Sequence, residues 1–248
     1  MSPHDARAML ALCALGVLGA VSFCPVAPDL VRRVLPAGRQ LRTPTWALVL
    51  LTLLQTSLVV AVCAWVGARL GPPLGLRSGL LDQTGLTIWS AFARLALPGV
   101  AFGAAGALVA FLLAKPLVGY LRGMPLTVRL LYGGFTEEVI ARWGLMTFVV
   151  WLLSSAMRGH VTAGWGEIML AGIVITNAVF AAAHIPLLRA VKTTAPGRAA
   201  AIIFVVSLPW GWLFRAFGIE SAMIAHMTFH AVVEAVAMWK KKAPEVEY

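Results

Sequence analysis

The chain has 248 residues, 60% of them hydrophobic and only 12% charged. A soluble domain carries about 25% charged residues, so this composition excludes an ordinary water-soluble globule. The formal net charge of +10 does not point to nucleic acid, because the basic residues fall between apolar blocks, where membrane topology puts them, and form no stripe on a polar surface.

A spanning helix needs about 20 mostly apolar residues. Seven stretches qualify, at roughly residues 8–27, 45–67, 92–114, 130–156, 165–186, 199–216 and 219–239. The expected fold is an all-α polytopic bundle of about seven transmembrane helices, one integral membrane domain over residues 1–248. The first stretch has one basic residue before it, Arg7, and no convincing small-residue cleavage site. It reads as a retained helix, not a removed signal peptide. The third contains Arg94, and Pro98 within it predicts a kink. Cys13, Cys24 and Cys63 all lie in apolar segments with no CxxC or Cys/His cluster. Neither a disulfide framework nor structural zinc is expected; the thiols read as small buried hydrophobes. No internal repeat or separate soluble domain stands out.

Orientation follows from the Lys and Arg residues of the connections. Alternate connections hold thirteen: Arg32, Arg33, Arg39 and Arg42; Lys115, Arg122 and Arg129; Arg189, Lys192 and Arg198; Lys240, Lys241 and Lys242. The opposite side holds five, Arg7, Arg69, Arg77, Arg158 and Arg215. The N-terminus is therefore expected outside and the C-terminus in the cytoplasm, in a bacterial inner (cytoplasmic) membrane.

The polar residues inside these spans carry the chemistry. Glu137 and Glu138, followed by Arg142, interrupt the fourth span. A charge at the bilayer centre costs roughly 2.5–3.5 kcal/mol on insertion scales, so such groups pair, face the bundle interior and are functional by default. Glu138 and Arg142 are spaced i,i+4 and can pair on one helix face. In an α-helix Glu137 points about 100° away and is free for another partner. Burial favours a protonated carboxyl, whereas an adjacent cation favours an ionised one. Two neighbouring carboxylates in different surroundings therefore suit a general base beside a structural pair. The alternative is a buried ion pair that only locks helices together, which leaves Glu137 unexplained.

His226 and His230 are also i,i+4, and Glu234 extends that face by a turn. The spacing is that of the histidines in an HExxH zinc helix, but residue 227 is Met and that motif is absent. His184 ends its apolar run just before Pro186, with Phe180 one turn earlier. At about 1.5 Å per residue, Glu137, His184, His230 and His226 lie about 12, 8, 15 and 21 Å from the cytoplasmic ends of their spans. The four are expected at a broadly shared depth in the cytoplasmic half.

The pattern Glu137-Glu138-x-x-x-Arg142, then Phe180-x-x-x-His184, then His226-x-x-x-His230 resembles the CPBP family of intramembrane endopeptidases. That family includes type II CAAX prenyl endopeptidases, lysostaphin-resistance-like proteins and bacteriocin-immunity proteins. The resemblance covers about residues 130–239, which would be the catalytic half. It implies peptide-bond hydrolysis within the bilayer, with Glu137 and His184 activating water. His226 and the residue at 230 would stabilise the oxyanion, and Glu138 and Arg142 would position the site.

Two departures stand out: His230 occupies a position usually Asn or Asp, and Trp143 separates Arg142 from Gly144 where many members have Arg-Gly. The family has been described both as metalloproteases and as glutamate-dependent proteases. Glu137, His184 and His226 can in principle supply three zinc ligands, but the expectation is no cofactor and a metal-free glutamate mechanism.

The expected partners are the lipid bilayer and a membrane-anchored or membrane-inserted peptide, not nucleic acid. That peptide would be a lipidated C-terminus, a sorting tail or a bacteriocin-type peptide. Competing readings are a proton-coupled transporter that uses the same residues as a relay, against which the missing repeats count, and a non-catalytic immunity or scaffold protein.

Overall fold

In the computed structural model the first helix begins earlier than its hydropathy suggests. Ser2 accepts a hydrogen bond from the Asp5 backbone N–H, Asp5 accepts one from the Ser2 N–H, and Pro3 takes the first helical position. This capping box sets α1 as Pro3–Phe23, not 8–27. Pro25 cannot continue the helix, and a turn leads into the short α2, Ala27–Val34.

The structure describes residues 2–34, 42–79, 88–113, 124–157, 165–190, 193 and 195–242. Arg39, Lys115, Arg122, Arg158 and Lys192, used above for orientation, lie outside them, as do the side chains of residues 240–242.

The remaining helices are α3 Thr45–Leu70, α4 Ile88–Leu113, α5 Leu126–Ala156, α6 Trp165–Ala183, α7 Ile185–Ala190, α8 Pro196–Phe217 and α9 Ile219–Lys242. No strand occurs among the described residues. Seven helical segments are long and apolar enough to cross a membrane, and the chain is an all-α polytopic membrane protein. Its outer faces are apolar, as lipid requires: Trp46, Leu51, Leu54 and Leu58 of α3 are all exposed. The core of the bundle is α5, which packs against α1, α3, α6 and α9, while α9 packs most extensively on α4.

Small residues let these helices approach, as expected where no hydrophobic force drives helix against helix. Thr136 of α5 donates to the Gly16 carbonyl of α1 at 2.7 Å. Trp143 donates through its indole N–H to the Ala64 carbonyl of α3 at 3.0 Å, and its ring occupies the space a side chain at Gly67 would fill. Trp143 thus faces α3 and not the polar interior, which accounts for its place between Arg142 and Gly144. Gly218 alone joins α8 to α9 with φ +107°, a conformation that favours glycine. An added Cβ there would lie 2.4 Å from the Gly79 nitrogen.

The middle of α5 departs from α-helical winding. Arg129–Glu137 and Val139–Met146 follow i→i+5 hydrogen bonding, a rare form found mostly at functional sites. The wider turn changes which residues share a face, and it falls on the segment carrying Glu137, Glu138 and Arg142. It also corrects the placement of Arg129, counted above as a loop charge. Arg129 lies in α5, is 5% exposed, and pairs with Glu234 of α9.

Candidate active site

Each of the six polar residues singled out in the sequence lies in one connected cluster between α5, α6 and α9. Glu138 is fully buried. Its Oε1 lies 3.3 Å from Arg142 Nη1 and accepts a hydrogen bond from His226 Nδ1 at 2.7 Å. The Arg142 guanidinium also donates to Asn177 Oδ1 at 3.0 Å and to the Ser207 carbonyl at 3.3 Å. Ser207 Oγ donates to the same Asn177 oxygen at 2.6 Å, and Asn177 Nδ2 donates to the Ile173 carbonyl at 2.8 Å. The guanidinium carbon sits 4.5 Å over the Phe180 ring and 5.5 Å from the Trp210 ring centroid. Arg142 is thus held by α5, α6 and α8 together, as a buried cation must be.

Glu137 differs. It is 24% exposed along its side chain, with Oε1 4.0 Å from His184 Nε2 and Oε2 3.9 Å from His226 Nε2. His184 Nδ1 bonds the Phe180 carbonyl at 2.8 Å. A carbonyl only accepts, so Nδ1 carries the hydrogen, and in neutral His184 Nε2 presents a lone pair towards Glu137. His226 is oriented the same way by Glu138, and its ring stacks on Trp210 at 4.3 Å. The Phe180-x-x-x-His184 motif therefore has two parts: a carbonyl that orients the imidazole, and a ring that covers Arg142.

His230 is buried beside His226, with ring centroids 5.0 Å apart. Its Nδ1 has no hydrogen-bond partner among the described residues. Both Nε2 atoms face Gly133, where an added Cβ would lie 3.0 Å from His226 Nε2 and 3.3 Å from His230 Nε2. The missing side chain keeps the space beside the two imidazoles open.

A cavity of about 80 Å³ joins Glu137, His184, His226 and His230 to Arg129, Tyr132 and Trp210. A second, largely apolar cavity of about 310 Å³ also borders Glu137 and His184, lined further by Phe23, Ile140, Ala141, Ala183 and Leu187. Glu137 stands where the two meet.

Gaps near 4 Å exceed a direct hydrogen bond but suit a water bonded to both sides. Tetrahedral zinc with bonds of 2.0–2.2 Å brings its ligand atoms to about 3.4 Å from one another. The carboxylate–imidazole separations here are wider. Among the described residues no group of three or more His, Cys, Asp or Glu side chains is placed to hold a metal ion. The three cysteines are free and line neither cavity.

Sequence reading missed Asn177, Ser207, Trp210, Arg129 and Gly133. Asn177 was open to discovery as an amide inside an apolar span. Arg129 was visible but read as a loop charge, and nothing local marks Trp210 or Gly133 as lining a cavity.

Seven apolar spans around a buried carboxylate–histidine–arginine cluster define a polytopic membrane protein with a polar site inside its bundle. Residues 123–232 match the family model described as type II CAAX prenyl endopeptidase Rce1-like. That match is to the family its motifs resemble, and it supports, in general terms, a CAAX-type intramembrane endopeptidase. No curated protein and no solved structure matches it.

Proposed function

We propose that this chain hydrolyses peptide bonds of membrane-anchored substrates with water activated by Glu137, without a metal. The observation that carries the reading is the Glu137 carboxylate facing two oriented imidazole Nε2 atoms at 3.9 and 4.0 Å in a cavity inside the bundle. A water held between Glu137 and His184 loses a proton to Glu137 as its oxygen attacks the scissile carbonyl. The oxyanion forms beside Gly133, within reach of His226 and His230 Nε2 as donors in a site sheltered from bulk water. Donation by His226 Nε2 needs a hydrogen on each ring nitrogen, because Nδ1–H already bonds Glu138. Glu137 then passes its proton to the departing amine, and the two products carry the elements of water. Glu138 and Arg142 orient His226 and hold α5 against α6 and α8.

The apolar cavity beside Glu137 supports a substrate with an apolar anchor next to the cut, which favours a lipidated C-terminal peptide over the other candidates. Arg189 and Arg198 flank the spans near the site, which supports access from the cytoplasmic face of a bacterial inner membrane, with the N-terminus outside.

The test compares membrane proteomes of cells carrying the wild-type chain or Glu137→Gln, by mass spectrometry of protein termini. A short set of new termini present only with wild type supports proteolysis and identifies the substrate. Identical termini from equally abundant, folded proteins would count against it and favour a relay or scaffold role.

A further inference from the structure

Three exposed arginines take no part in the proposed chemistry and gather at the end of the bundle that carries His184. Arg33 lies on α2, Arg42 just before α3 and Arg189 on α7. None of the three side chains has a hydrogen bond or ion pair among the described residues. Arg32 differs: its Nη2 donates to Thr45 Oγ1 at 2.8 Å and its Nη1 lies 3.6 Å from Asp29, which ties the end of α2 to the start of α3. Asp29 is the only acid on α2, α7 and the first turn of α3.

The helix α2 has eight residues, about 12 Å at α-helical rise, too short to span a bilayer. Ala27 and Pro28 are buried against the bundle, Asp29, Arg32 and Arg33 face outwards, and α2 packs on both α3 and α7. A short helix with an apolar inner face and basic residues outside lies in the membrane interface, not across it. Trp46, next to Thr45 and 70% exposed, marks the same depth, because indole rings collect at the level of the headgroups. On the other side of α2, α7 begins directly after His184. The Leu188 N–H donates to the His184 carbonyl at 2.9 Å, and the Leu188 side chain is fully buried. The end of the helix bearing His184 is therefore held in part by what α7 packs against.

Membrane topology asks only for positive charge on this side of the bilayer. It does not ask that the charges be mounted on helices packed together at headgroup depth. A guanidinium matches a phosphate through paired N–H donors, and a phosphodiester headgroup with net negative charge complements three unpaired arginines. We propose that α2, the start of α3 and α7 form a docking surface for anionic phospholipid headgroups, and that a lipid bridging α2 and α7 steadies the turn after His184.

Binding of phosphatidylglycerol and of phosphatidylcholine to the full-length protein in detergent is measured by native mass spectrometry. Phosphatidylglycerol is expected to bind at least about fivefold more tightly, the scale of one arginine meeting an anionic surface. Replacing Arg33, Arg42 and Arg189 together by Gln should bring that ratio to about one, and replacing them by Lys should keep most of it. Removing equal charge at the opposite end of the bundle, with Arg7→Gln, Arg69→Gln and Arg215→Gln, should leave it unchanged. Equal binding of the two lipids by the wild type would overturn the proposal. So would a preference that survives loss of Arg33, Arg42 and Arg189, or one lost equally with the three distant arginines. The wild-type comparison needs no variant, so a folding defect in one does not decide the matter. Hydrogen exchange over residues 185–190 reads the bridge: it should be slower in phosphatidylglycerol nanodiscs than in phosphatidylcholine ones, and equal exchange would remove the bridge. Neither measurement involves cleavage, so both outcomes are independent of the hydrolytic reading.

Discussion

Glu137 and Glu138 are neighbours in sequence and in the same helix, yet they sit in two different kinds of surroundings. Around Glu138 the interior is closed: the carboxylate is fully buried, Arg142 and His226 approach the same oxygen, and Asn177 and Ser207 accept hydrogen bonds from the arginine, while Glu138 Oε2 and Arg142 Nη1 have no hydrogen-bond partner among the described residues. Around Glu137 it is open: the side chain borders two cavities, and its nearest polar neighbours stand near 4 Å. A closed network in a low-dielectric interior rigidifies, whereas polar groups held apart with space between them are ready to bind something. The comparison separates the group that holds the site from the group proposed to act in it.

Glu137→Gln should divide the two regions most sharply. Loss of a positioned base is expected to reduce cleavage about 10²–10⁴-fold, with the thermal midpoint in detergent nearly unchanged because shape and packing persist. A Gln variant with full turnover would remove Glu137 from the role of base.

Arg142→Leu should do the opposite. It strands Glu138 beside His226 in the interior, at a cost of about 3–5 kcal/mol, read as a large fall in thermal midpoint or in yield of folded protein. A variant as stable as wild type would mean that the network does not hold the helices.

A smaller effect is expected at the border of the two regions. Gly133→Ala adds a methyl group 3.0 Å from His226 Nε2, and overpacking of this kind costs about 1–3 kcal/mol. Since the crowded space is where the oxyanion is proposed to form, kcat should fall by more than stability does. An alanine variant with wild-type kcat would place the reacting carbonyl elsewhere.

The smallest effect should come from His230→Asn. An asparagine amide can also donate a hydrogen bond here, and His230 Nδ1 has no partner to lose among the described residues. Activity is expected to stay within about tenfold, the worth of one modest hydrogen bond. Complete loss would point to proton transfer at this position.

Much of this was legible in one dimension. Seven apolar stretches matched the seven spans to within a few residues except in α1, where Ser2, Pro3 and Asp5 form a cap that outweighs hydropathy. The i,i+4 pairing of Glu138 with Arg142 was legible because a single turn of one helix brings the two side chains together. The convergence of His184 and His226 on Glu137 was anticipated only as a shared depth. Depth along a helix says nothing of rotation about it, and rotation decides what a side chain meets.

The sequence by itself determined that the chain must sit in a bilayer and where its costly polar groups lie, because transfer free energy depends on composition over a single span. Tertiary structure alone decided that Arg129 is buried against Glu234, that Asn177 and Ser207 hold Arg142, and that the absent side chain of Gly133 leaves room beside two imidazoles. These are contacts between helices far apart in the chain, set by close packing and by the i→i+5 winding of α5, and no local pattern encodes them.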